Sequence, residues 1–217
     1  VDPWALTEKD GRLYGRGTTD MKGFCAVALA FAPVFLERDL KMPIHYAFSF
    51  DEEVSRVGVG KIIDGFDHLP IRPAMCIVGE PSEMKVVIAH KGKKSIRVRV
   101  RGFECHSSLA PTGVNAIEYA AELIAHIRGM ARRIEDGPHD DDYDIPFTTF
   151  SVGLIEGGTA LNIVSRDCCF QFEFRHLPQD DPEDLYGEAV AYATQVLEPR
   201  MHAVNPETGI GFEMMSE

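Results

Sequence analysis

Ile96-Arg97-Val98-Arg99-Val100-Arg101 alternates an apolar with a basic residue, the period of two that sets one face of a β-strand on a core and the other in water. Residues 92–101 therefore predict a strand with one wet face. Downstream, Asn115 to Arg133 places Ile117, Ala120, Ala121, Ile124 and Ile127 at helical spacing, and Gly113 with Asn115 opens that helix. The acidic run Glu135 to Asp144 reads as a solvated loop, followed by strands at Phe147 to Ile155 and Cys168 to Arg175. The second of these sets Phe170, Phe172 and Phe174 on one face. A helix over Pro182 to Leu197 and a strand at Ile210 to Met214 complete the order βαββαβ. That order predicts an α+β split-βαβ domain over residues 92–217, with helices covering one face of an antiparallel sheet.

Residues 1–91 read differently. His45 to Phe50 and Met75 to Gly79 are short apolar strand candidates, with helical Gly58 to Phe66 and turn-rich Asp67 to Pro73 between them. The alternation predicts βαβ units, a parallel sheet and an α/β class for this part. Met21 to Arg38 is mostly apolar and predicts a helix buried on most faces, bent or ended near Pro33.

Composition narrows the function. The 217 residues carry 22 Lys and Arg against 34 Asp and Glu, a formal charge of -12, which disfavours a nucleic-acid or anionic-membrane partner and favours a small molecule. Five Cys include the adjacent Cys168 and Cys169 but no CxxC, and point to a reducing compartment, with the cytoplasm as the expected location. The longest apolar run, Phe24 to Leu36, contains Pro33 and falls short of the ~20 residues of a membrane helix.

Three carboxylate clusters stand where a strand or helix is expected to end. Gly15-Arg16-Gly17-Thr18-Thr19-Asp20-Met21-Lys22-Gly23 puts Asp20 just ahead of a helix, where it is either an N-cap or a ligand. Asp51-Glu52-Glu53 follows the apolar strand candidate at 45–50, and is either a charged loop or a set of carboxylates compensated by a cation. Gly79-Glu80-Pro81-Ser82 ends the next strand candidate. Ligands sit at the carboxyl ends of strands in open α/β sheets, so Glu52, Glu53 and Glu80 are expected to converge. Converging carboxylates without basic partners point to a divalent metal. The spacing of a phosphate-binding P-loop is absent from both Gly15–Gly23 and Gly92–Ser95.

Together with Trp4 to Gly23 (WALTEKDGRLYGRGTTDMKG) and Gly157-Gly158-Thr159-Ala160-Leu161-Asn162-Ile163-Val164, these clusters resemble the M20 family of metal-dependent amidohydrolases and peptidases. The resemblance implies a zinc-peptidase-like catalytic domain followed by a lid and dimerisation domain. It implies hydrolysis of the amide of an N-acyl amino acid, most of all N-acetylornithine to ornithine and acetate in arginine biosynthesis. N-succinyl-diaminopimelate and other N-acyl amino acids or peptides are the alternatives. By the same resemblance Asp20 bridges two zinc ions, for which cobalt can substitute, Glu53 and Glu80 each bind one of them, and Glu52 is the general base. His106 reaches the partner subunit's active site to stabilise the oxyanion, while Asn162 and Arg175 bind the substrate's carboxylate or that oxyanion. The family's two further metal ligands are histidines, one in an HxD motif upstream of the WALTEKDG-like segment and one in a later C-terminal segment. Residues 1–217 contain neither, so the sequence predicts a middle piece of a longer enzyme, a homodimer when complete. Taken alone, the piece is expected to hold fewer metals or none and to be inactive, which leaves a dimerising or binding role as the competing reading.

Overall fold

The computed structural model describes residues 2–53, 57–66, 68 and 72–216. These fall into two units, Val1–Val87 and Ile88–Glu217. Part of the turn-rich stretch expected between Asp67 and Pro73 lies outside the described residues.

The first unit opens with an antiparallel hairpin, β1 (Thr7–Lys9) and β2 (Arg12–Tyr14), joined by Asp10-Gly11. Both turn residues have positive φ, 52° and 69°, as a type I′ turn requires, and Asp-Gly is a favoured pair for it. Helix α1 (Lys22–Leu36) follows and continues through Pro33, and α2 (Val57–Phe66) comes later. Two expectations are corrected here. Residues 45–50 and 75–79 form no strand, and α1 buries none of its residues. A fully apolar run becomes a parallel strand only where neighbours pair with its edges and helices cover both faces. Among the described residues of this unit the only sheet is the β1–β2 ribbon, so Tyr46, Phe48 and Phe50 stay exposed.

The second unit has the predicted order, and with the first makes the chain mixed α/β. It contains β3 (Gly92–Arg101), a 3-10 helix at Ser107–Thr112, α3 (Ala116–Glu135), β4 (Thr149–Gly157), β5 (Asp167–His176), α4 (Pro182–Tyr192), α5 (Glu198–His202) and β6 (Gly209–Ser216). The four strands form one antiparallel sheet in the order β4-β5-β3-β6. Register follows the alternation: Val98 lies opposite Phe170 and Phe212, and Ile96 opposite Phe172 and Met214, all turned toward the helices. A one-residue slip would send these side chains into water, which is why the pattern specifies the pairing. The basic residues take the other face, where Arg97 and Arg99 donate to Glu213 and hold its carboxyl below the usual range.

Helix α3 closes the core with Ala116, Ala120, Leu123, Ile127, Met130 and Ala131. Its N-cap is Asn115, whose side chain accepts from Ile117 N–H at 3.1 Å, a contact worth about 1 kcal/mol. Asp181 caps α4 in the same way at 2.8 Å. The helix expected over Pro182 to Leu197 is divided: α4 passes through a π-helical turn, Ala193–Leu197, into α5. No helix among the described residues is long and apolar enough to cross a membrane.

The contact between α3 and α4 contains a titratable group. His126 stacks on Tyr192, ring centroids 3.9 Å apart and planes 1° from parallel, and its buried Nε2 has no hydrogen-bond partner among the described residues. Burial pushes the imidazole below its ordinary value and outweighs the opposing pull of Glu188, 3.6 Å away, while Arg133 adds to the depression. A depressed histidine favours the neutral folded form, so its contribution is intact above the unfolded value near 6.5 and is lost as pH falls through and below it. Urea unfolding of the parent chain is therefore expected to show stability falling between pH 7 and 5. His126→Phe, which keeps the stack and removes the proton site, should flatten that slope; an unchanged slope would assign it to other groups.

Candidate active-site residues

The residues singled out by sequence fall in both units. In the second, β3 is followed by Gly102, whose N–H donates to Arg166 O at 2.6 Å. A Cβ there would lie 2.0 Å from Val114 O and 3.0 Å from Ser165 O, so only glycine lets these backbones meet. Phe103 and Val114 exchange two hydrogen bonds of 2.9 Å and close the loop carrying His106. That loop pairs with the segment holding Asn162: Val164 N–H donates to Cys105 O and Ser107 N–H to Asn162 O, both at 2.9 Å, and His106 bridges Ile163. Two predicted residues 56 positions apart, as 162 − 106 counts them, are thus joined through backbone.

His106 is the N-cap of the 3-10 helix. Its Nδ1 accepts from Ser108 N–H at 3.2 Å and lies 2.8 Å from Ser108 Oγ, while Nε2 has no partner among the described residues and the side chain is exposed. The side chain of Asn162 is exposed as well. Arg175 stands near the opposite end of β5, exposed and paired with Glu173 at 3.0 Å. From Asp167, beside the Asn162 segment, to Arg175 the strand runs about 26 Å. One chain therefore brings His106 and Asn162 together and keeps Arg175 apart. At the His106 end a cleft of about 800 Å³ is lined by Arg99, Arg101, Glu156, Thr159 and Arg166 among others, but by neither His106 nor Asn162.

In the first unit Asp20 sits in a tight glycine-dependent turn. Gly17 has φ of 82°, Lys22 N–H donates to Gly17 O at 2.8 Å, and a Cβ on Gly23 would lie 2.2 Å from Thr18 O. The N-cap of α1 is Met21 without a side-chain bond, so Asp20 is not the cap that its position allowed; the Asp20–Met21 peptide is cis. Gly79 lies against the Phe24 ring, where a Cβ would come within 2.1 Å, and this brings the Glu80 segment to the end of α1 that Asp20 precedes. Glu52 and Glu53 occupy an exposed turn after Asp51.

Among the described residues no three His, Cys, Asp or Glu side chains lie close enough to hold a metal ion. Asp20, Glu53 and Glu80 form no such group among the described residues. Dialysed against micromolar zinc, the 217-residue chain is expected to retain less than one equivalent by metal analysis; two tightly held zincs would show that the carboxylates gather when metal is offered. The residue that sequence reasoning missed is Ser108, although Ser107-Ser108 after a turn histidine is a signal for local side-chain capping.

Residues 88–201 match the family described as Peptidase dimerisation domain, and the chain belongs to that M20 family. It is 36% identical to an acetylornithine deacetylase of Pectobacterium atrosepticum over 89% of the chain and 51% of that protein. It is 38% identical to one from Pasteurella multocida over 85% of the chain and 47% of that protein. The chain spans about half the length of the curated relatives it matches. Among solved structures it is similar to aminopeptidase PepT from Bacillus cereus, at 25% identity and a TM-score of 0.40 over 56% of this chain and 28% of that one.

Proposed function

We infer that the full-length protein hydrolyses the amide of an N-acyl amino acid, with N-acetylornithine as substrate. The observation that carries this is 36% to 38% identity with acetylornithine deacetylases along 85% to 89% of the chain. The roles follow the chemistry of each group. Glu52 accepts the proton of the attacking water as general base. His106 donates from Nε2 to the oxyanion that forms at the carbonyl, and Asn162, tied to the same loop, donates beside it. The Arg175 guanidinium takes the substrate carboxylate, for which its planar fork is suited. When metal is bound it would supply Lewis-acid polarisation of the carbonyl, with Asp20, Glu53 and Glu80 the residues that would hold it.

A substrate of this size cannot reach both ends of β5. In a two-fold dimer His106 and Asn162 of one chain therefore serve one active site and Arg175 of the same chain serves the other. The dimer forms through the free edge of β4, where Leu154 and Ile155 are exposed, together with the neighbouring α3. A second reading for the 217-residue chain on its own, as a dimerising part, rests on the match of residues 88–201 to the dimerisation-domain family.

The test is a hydrolysis panel with protein expressed from the full gene, comparing N-acetylornithine, N-succinyl-diaminopimelate and N-acetylated neutral amino acids. N-acetylornithine is expected to give the highest kcat/KM; preference for another member would reassign the acyl or amino group, and no hydrolysis of any would end the enzymatic reading. Sedimentation at tens of micromolar checks the dimer, with Leu154→Glu expected to give monomer.

A further inference from the structure

We propose that Ser108 is a positioning residue for His106, one that sets which ring nitrogen carries the proton and where it points. The inference deepens the proposed function and rests on it for its catalytic consequence, but its structural half stands on local geometry. Nδ1 of His106 receives the main-chain N–H of Ser108 at 3.2 Å. An N–H cannot donate to a second N–H, so Nδ1 must be the bare, lone-pair nitrogen of the ring. The proton of the neutral imidazole is then on Nε2. That assignment also settles the contact between Nδ1 and Ser108 Oγ at 2.8 Å, which the tautomer alone could have left in either direction: the hydroxyl donates and Nδ1 accepts.

Two donors from one residue thus converge on one ring nitrogen, and the other nitrogen is left exposed with no partner among the described residues. The arrangement is held from behind. His106 is the N-cap of the Ser107–Thr112 helix, and Leu109 N–H donates to its carbonyl at 2.8 Å. Ser107 N–H is fixed by Asn162 O. The ring therefore cannot turn to offer Nδ1 outward without breaking the cap. For an oxyanion this is the useful polarity, because stabilisation requires a donor already aimed where charge develops and not a lone pair.

The test begins with the 217-residue chain labelled with 15N in histidine, its His106 resonances assigned by their loss in His106→Gln. At pH 8 the spectrum is expected to show protonated Nε2 and a bare Nδ1 displaced toward the hydrogen-bonded position. In Ser108→Ala, Nδ1 should move toward the position of an unbonded ring nitrogen, and Ser108→Thr, which keeps a hydroxyl, should restore it. In protein expressed from the full gene, Ser108→Ala should lower kcat about tenfold at unchanged KM, with rescue by Ser108→Thr. A proton on Nδ1 in the parent chain would overturn the inference, as would an Nδ1 resonance unmoved by Ser108→Ala. These outcomes leave the hydrolase reading standing. Full turnover in His106→Ala is a separate measurement, and it would remove both that role of His106 and the catalytic consequence drawn here.

Discussion

His106→Ala, made in protein expressed from the full gene, is expected to lower kcat by about 10²- to 10³-fold, the loss seen when one oxyanion donor is removed from a preorganised site. Metal content and fold should change little, because the imidazole lies exposed on a loop held by backbone bonds from Phe103, Cys105 and Ser107. Glu52→Gln should abolish turnover by removing the base, again with metal retained. The two variants together test the placement across the dimer. If His106 and Glu52 of one chain serve different active sites, a mixed dimer has one site with both groups intact and one with neither. Random pairing then makes half of the dimers mixed, each with one working site, and restores roughly a quarter of parental activity. If each site used its own His106, every site in the mixture would carry a defect and no activity would return.

Phe170→Ala is expected to cost about 3–5 kcal/mol of unfolding free energy, read from urea titration of the chain. Phe170 is wholly buried on β5, opposite Val98 on β3 and Ile155 on β4, and it packs within the core that α3 covers. Truncation removes the apolar transfer energy and leaves a cavity that a four-stranded sheet cannot collapse without losing register. Phe170→Leu, nearer in volume, should cost less than about 1.5 kcal/mol. A loss below about 1 kcal/mol for the alanine variant would mean that the second unit does not depend on this ring for its core.

The second unit was legible because its signals are local and agree with one another. Alternation from Ile96 to Arg101 assigned both faces of β3, the phenylalanines of β5 named the layer opposite, and Asn115 marked the start of α3 within a residue. The first unit was less so. Apolar stretches at 45–50 and 75–79 have strand propensity, but a parallel strand exists only through partners distant in sequence, and these residues make no ladder here. Asp10-Gly11, by contrast, is a local turn signal in the sequence, and it joins the β1–β2 hairpin without help from distant partners.

For the candidate site the division is similar. Residue identity alone supplied the chemistry: carboxylates at Asp20, Glu52, Glu53 and Glu80, an imidazole at His106, an amide at Asn162 and a guanidinium at Arg175. Their spacing could not say which of them meet, because distance along the chain is not distance in space. Strand pairing decided that His106 and Asn162 share one end of the sheet while β5 carries Arg175 to the other. Only backbone geometry at Ser108 could choose between the two ring nitrogens of His106, since a tautomer depends on where the next donor stands and no sequence pattern records that.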